Sequence, residues 1–123
     1  MTLTNQAVFD NALNQVRKQQ YMRSFDSERQ CCAYRGEHGS KCAVGASIPD
    51  SLYSRDIEGE TASRILCRIE FINLFVGVSP LLLSALQRLH DDGFAEDEQI
   101  DSDNYEAGME RLAVDFGLVY TSS

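Results

Sequence analysis

The residues with the richest chemistry in this chain of 123 are four cysteines, Cys31, Cys32, Cys42 and Cys67, and two histidines, His38 and His90. Zinc takes deprotonated sulfur and neutral imidazole in a tetrahedron, and structural zinc sites draw on short paired spacings of cysteine. Nine residues separate Cys32 from Cys42 and no second pair follows, so the pattern argues against a zinc centre. A thiol nucleophile needs an adjacent base. Cys42 with His90 and Asp91 supplies the residue types of a Cys–His–Asp arrangement, with His38 as the other available base, but no local signature surrounds Cys42. The simpler expectation is that the cysteines are reduced, small buried hydrophobes. His90 then packs on one helical stripe with Leu83. Phosphate-cradling glycine motifs and His-Glu-x-x-His are absent. A calcium loop read from Asp101 has Glu106 where its glycine belongs and Leu112 where its bidentate glutamate belongs. No catalytic residue, metal or cofactor is assigned.

Charge is the sharper signal. The chain carries 11 Lys and Arg against 19 Asp and Glu, a net charge of −8. Residues 1–88 hold ten basic and nine acidic groups, whereas residues 89–123 hold one basic group, Arg111, and ten acidic ones. The imbalance is therefore confined to the last part of the chain. A net negative charge excludes direct binding to bare nucleic acid or to anionic lipid, both of which need a basic surface. Crowded carboxylates raise self-repulsion, and they also create a potential that steers a basic partner. Asp91, Asp92, Glu96, Asp97, Glu98, Asp101 and Asp103 are the candidate protein-binding residues. The alternative is a solubilising acidic loop.

The elements that must position these groups follow from periodicity. Phe9, Leu13 and Val16 fall at i, i+4 and i+7 behind a Thr4 cap, which predicts a helix from Asn5 to about Gln20. Cys31 to Tyr34 reads as strand-like, two glycines turn the chain at 36–39, and Lys41 to Val44 returns, which predicts a small β-hairpin near residues 31–45. Glu58 to about Val78 reads as a long central helix, with Ile65, Ile69 and Ile72 on one face and Cys67, Phe71, Leu74 and Val78 on another. Ser79-Pro80 starts the next helix, striped by Leu82, Leu86 and Leu89 and stopped at Gly93. After an acidic loop, Asp103 or Asn104 caps a last helix that faces the core through Met109, Leu112, Ala113 and Phe116 and ends at Gly117. The expected fold is an α-rich α+β domain of about four helices and one hairpin, spanning 1–123 as a single unit. Hydrophobic residues make up 43% and charged residues 24%, which supports one modest core. No apolar run is long enough to cross a membrane. The first residues, Met1 to Asn5, lack a basic and apolar leader, so a cytoplasmic address is expected.

The block Cys32-x-Tyr34-Arg35-Gly36-x-x-Gly39-x-Lys41-Cys42-Ala43-Val44-Gly45-x-x-Ile48-Pro49-Asp50-x-x-Tyr53 resembles a segment of many small bacteriophage and prophage proteins. The same proteins carry a Leu-Gln-x-x-His-Asp block, here Leu86 to Asp91, and finish on a helix similar to Leu112 to Leu118. The resemblance carries no catalytic residue across. It implies a phage or mobile-element protein in the cytoplasm of a bacterial host, where small acidic proteins often inhibit host machinery. The leading expectation is a non-enzymatic, anti-CRISPR-like inhibitor whose acidic surface, mimicking nucleic acid, occupies a basic channel of a host defence complex. The alternatives are a small enzyme or ligand-binding domain centred on Cys42 and His90, with Arg35 and Lys41 receiving an anion, and an assembly helper that dimerises through its hairpin or an exposed apolar side. The oligomeric state is left open.

Overall fold

The computed structural model describes residues 2–22, 25–26, 31–36, 39–60, 62–92 and 101–122, with backbone alone at 25–26, 31–32, 62–63 and 91–92. Five helices are formed among the described residues: α1 (Asn5–Lys18), α2 (Ala62–Leu66), α3 (Ile69–Phe75), α4 (Pro80–Asp92) and α5 (Ser102–Phe116). Three of the starts, those of α1, α4 and α5, have a local cause. The Thr4 hydroxyl accepts a hydrogen bond from the Ala7 amide at 3.0 Å, and Ser79 Oγ accepts from the Leu82 amide at 3.4 Å, ahead of Pro80. The Asp101 carboxylate, rather than Asp103 or Asn104, caps α5. Gly117 ends α5 at φ 66°, in the left-handed region, and lets the Leu118 amide reach the Ala113 carbonyl at 2.7 Å.

The core is built on α4. It packs against α1, α2 and α5, and it buries Leu82, Leu83, Leu86 and His90. Val8, Phe9, Ala12, Leu13 and Val16 of α1 and Tyr105, Met109 and Ala113 of α5 close over it. Leu112 and Phe116, expected in the core, are only partly buried, while Tyr105 lies deeper than either. The N-terminal residues are sewn to α3, with the Leu3 amide donating to the Leu74 carbonyl at 2.8 Å.

The expected α+β architecture is not adopted: among the described residues the fold is helical, and the hairpin expected over 31–45 is not formed. Cys31–Cys32 pairs for two residues with Phe25–Asp26, not with Lys41 to Val44. Across the expected hairpin there is a single isolated bridge, Arg35 to Lys41. The reason lies after Lys41. Cys42, Ala43 and Val44 are each only 1% exposed, so they lack the in–out alternation of a half-buried strand. The Cys42 amide still reaches the Tyr34 carbonyl at 3.3 Å, but beyond it the chain turns back locally: the amides of Ala46, Ser47 and Ile48 donate to the carbonyls of Cys42, Val44 and Gly45. The chain therefore coils through a short 3-10 turn at Gly45–Ser47. Gly45 is required there, because a Cβ on it would lie 2.0 Å from the Tyr34 carbonyl oxygen.

The predicted long helix over 58–78 is also broken. Arg68 takes extended backbone, φ −73° and ψ 139°, between α2 and α3. That break resets the helical phase. Ile65 is buried, but Ile69 is 85% and Ile72 48% exposed, and the buried face of α3 is Phe71, Leu74 and Phe75. The expected Ile65–Ile69–Ile72 core face thus does not exist. Gly93, the expected stop of α4, falls outside the described residues.

Candidate functional site

α4 and α5 form an antiparallel pair, with Leu89 seated against Gly108 and Ala85 facing Leu112 across a shared cleft. The C-terminus of α4 and the N-terminus of α5 therefore lie at the same end of the pair. Asp91 and Asp92 are the last residues of α4, where only their backbone is described, and Asp101 and Asp103 stand at the start of α5. Glu96, Asp97 and Glu98 lie outside the described residues. The side chain of Asp101, although exposed, is engaged: its oxygens accept from the amides of Asp103 and Asn104 and from the Asn104 side chain. Asp103, Glu110 and Asp115 are exposed along α5, and none forms an ion pair among the described residues. Asp103 and Glu110, seven residues apart, share one stripe of the helix.

Glu106, also acidic and also on α5, behaves in the opposite way. Its two oxygens take Arg17 Nε at 3.0 Å and Nη2 at 2.6 Å, with Tyr21 Oη at 2.9 Å and Tyr120 Oη at 2.6 Å. The fork-on-fork arginine contact and the two phenol donors hold the Glu106 carboxyl down at about 2. The hydrogen bond to Glu106 in turn pushes the Tyr120 phenol upward, while burial is the largest cause for Tyr21. Arg17 also donates to the Thr121 carbonyl at 2.8 Å and lies over the Tyr120 ring, so this cluster clasps the C-terminal residues to α1. Tyr21 reaches it through two consecutive left-handed residues, Gln20 at φ 56° and Tyr21 at φ 63°. Such backbone is costly outside glycine.

Residues 34–53 build a second cluster, around Glu58. This carboxylate is buried and accepts from the backbone amides of Tyr34 at 2.8 Å and Arg35 at 3.1 Å and from Tyr53 Oη at 2.6 Å. Arg35 stacks over the Tyr53 ring at 4.5 Å, donates to the Ile48 carbonyl at 2.9 Å and pairs with Asp50 at 2.6 Å. Burial, then the Glu58 hydrogen bond, raises the Tyr53 phenol to about 12. Tyr34, Arg35, Gly45, Ile48, Asp50 and Tyr53 are thereby explained as one lock between the coil at 42–48 and the turn before α2. Arg35 Nη2 is held by the Ile48 carbonyl and by Asp50, while its buried Nε has no hydrogen-bond partner among the described residues. Sequence reasoning missed Glu58 and Glu106 as hubs. The available signal for Glu106 was its place between the core residues Tyr105 and Met109; for Glu58 no periodic signal exists.

Cys42 and His90 are buried, at 1% and 0% exposure. The Cys42 sulfur accepts from the Gly45 amide at 3.4 Å inside the coil. Neither residue lines the clefts at Leu3 and Ser47, at Leu89 and Gly108, or at Arg64 and Cys67. Cys67 is exposed. Among the described residues no group of three or more His, Cys, Asp and Glu side chains is placed to hold a metal ion, and no single helix is long and apolar enough to cross a membrane. Ile69, Ile72 and Val76 leave an apolar stripe on the outside of α3 and the turn after it. Comparison with protein-family models, with curated proteins and with solved structures finds no match to this chain.

Proposed function

We propose that this chain is a non-enzymatic, phage-encoded inhibitor that binds a nucleic-acid-handling defence complex of a bacterial host through its acidic end, in the manner of an anti-CRISPR protein. Support comes above all from how the carboxylates divide. Asp50, Asp56, Glu60 and Glu70 in the body are each paired with an arginine, whereas Asp103, Glu110 and Asp115 on α5 are exposed and without an ion pair among the described residues. Asp91 and Asp92, the last residues of α4, add charge of the same sign at the end of the pair from which α5 starts, and Glu96, Asp97 and Glu98 follow them in sequence. A partner that grips nucleic acid presents Lys and Arg to phosphates, and carboxylates spaced along a helix and its approach can occupy that surface. The phage origin and the bacterial cytoplasm rest on the resemblance of residues 32–53 to small phage proteins.

The test is charge reversal away from the cap. The variant carrying Asp97→Lys, Glu98→Lys and Asp103→Lys is compared with the parent in capture of proteins from bacterial lysate. Bound protein is then challenged with excess duplex and single-stranded nucleic acid. The expected result is a captured nucleic-acid-binding protein that nucleic acid displaces. Reversal should weaken its binding by about 2–5 kcal/mol if the pairs are desolvated. Equal capture by the reversed variant would refute the reading.

A further inference from the structure

An open groove of about 430 Å³ runs along the α4–α5 pair, floored by Ala85, Leu89, Gly108 and Leu112. Its direction follows from the pairing. Leu89 meets Gly108 and Ala85 lies across from Leu112, so one turn further out Leu81 of α4 comes level with Asp115 of α5. Leu81 is 75% exposed and prolongs the apolar floor. In the other direction the groove runs to the end of the pair where α4 stops and α5 starts. Carboxylates therefore stand at both ends: exposed Asp115, seven residues beyond Gly108, at one, and Asp91, Asp92 and exposed Asp103 at the other. The only cations on the two helices besides His90 are Arg88 and Arg111, which line the middle.

We infer that this groove seats a basic amphipathic helix of the host partner, with apolar residues on the floor and Lys or Arg at both of its ends. The inference rests on the inhibitor reading for who the partner is, and adds which kind of segment that partner inserts. Charge complementarity selects the occupant: apolar contact is available in the middle, and carboxylates without an ion pair among the described residues wait at Asp103 and Asp115. A second copy of the chain would bring a net charge of −8 against −8. An extended peptide is disfavoured because every floor residue is helical, with its backbone groups already used, whereas a helix satisfies its own amides and carbonyls. Asp103 and Asp115 lie about 18 Å apart along α5. The partner's basic residues are therefore about three turns apart, with apolar residues at i, i+3, i+4 and i+7 between them.

The test titrates the full chain with a synthetic helical peptide of about 18 residues, carrying Leu at that spacing and Lys at both ends, while following backbone amide shifts and heat. One control peptide has Glu in place of Lys, and the other has Gln in place of Leu. The expected result is saturable one-to-one binding of the Leu–Lys peptide with shifts centred on Leu89, Gly108 and Leu112, and binding of each control weaker by about tenfold or more. Leu81→Gln and Asp115→Lys alter exposed side chains and should stay folded. Together they should weaken the Leu–Lys peptide by about tenfold. Equal binding of either control, shifts centred elsewhere, an unaffected double variant, no saturable binding, or self-association of the chain through Leu89 and Gly108 would each overturn the inference.

Capture from lysate separates this inference from the inhibitor reading. The Leu81→Gln, Ala107→Gln variant places polar bulk at two exposed positions along the groove and keeps every carboxylate. It should capture the nucleic-acid-binding protein at least tenfold more weakly than the parent, by about the same factor as for the peptide. Undiminished capture by this variant would refute the groove and leave the inhibitor reading standing. A peptide seated in the groove, with no nucleic-acid-binding protein captured by the parent, would refute the inhibitor reading and leave the groove as a site for basic helices.

Discussion

Arg68 gathers three carboxylates, Asp56 at 2.9 Å, Glu60 at 3.2 Å and Glu70 at 2.5 Å, and with Arg35 it absorbs most of the described negative charge of the body. Along α5 the same residue types stand unpaired among the described residues: Asp103, Glu110 and Asp115 face solvent, whereas Glu106, turned toward α1, is engaged. The difference is one of supply. Ten basic groups accompany nine acids up to residue 88, and a single arginine accompanies ten acids beyond it. Charge in the body is part of the structure, so removing it should cost stability. Charge on the outer face of α5 contributes little to holding the fold and is available to a partner.

The sharpest way to separate structural from available groups is to disturb the body's lock. Gly45→Ala puts a methyl 2.0 Å from a backbone oxygen, which no rotamer relieves. A loss of about 3 kcal/mol or more in urea unfolding is expected, and a variant as stable as the parent would show the coil at 42–48 to be misplaced. Glu58→Ala leaves two backbone amides without their acceptor, one of them buried. It should cost about 2–4 kcal/mol.

Glu106 is the instructive case, because it lies on α5 yet belongs with the body. Its carboxyl sits at about 2 against an ordinary 4.5. A carboxylate depressed in the folded state adds stability that is complete above its unfolded value and is lost as pH falls through the folded one. Glu106→Gln should therefore be less stable than the parent by about 1–2 kcal/mol at pH 7, allowing for partial solvent access. The gap should close between pH 4.5 and 2. A gap that stays constant across that window would mean that Arg17 does not hold the charge.

Smaller effects complete the contrast. Glu110→Lys together with Asp115→Lys should shift stability by no more than about 0.5 kcal/mol, since both groups are exposed and unpaired. Ile69→Asp should also remain folded, because Ile69 is 85% exposed, whereas Ile65→Asp, at a fully buried position, should unfold the protein. Circular dichroism of the two variants side by side decides this.

Much of the helical frame was legible because its signals are local. The Thr4 cap, Ser79-Pro80, Gly117 and the Phe9–Leu13–Val16 and Leu82–Leu86–Leu89 stripes all act within one or two turns. What could not be read depends on contacts distant in sequence. Three consecutive apolar residues, Cys42 to Val44, suit a buried strand as well as a buried coil, and it is the Tyr34 carbonyl against Gly45 that selects the coil. The apolar run from Ile65 to Val76 carries no glycine or proline at Arg68. Its break goes with an ion network: Arg68 bonds Asp56 and Glu60, twelve and eight residues away. Periodicity therefore placed Ile69 and Ile72 on the wrong side. The acidic end was legible as composition, since charge counting needs no fold. Which acids are held was not: Asp101 is occupied as a cap and Glu106 as a hub.

If the acidic end is a decoy for nucleic acid, it must meet a partner that otherwise holds nucleic acid. The direct measurement is the association rate of the captured host protein with this chain as salt rises, for the parent and for the Asp97→Lys, Glu98→Lys, Asp103→Lys variant. A steep fall with salt is expected for the parent, with complete competition by nucleic acid, and a slow, nearly salt-independent rate for the variant. A parent rate indifferent to salt, or a variant that associates as fast as the parent, would contradict the decoy.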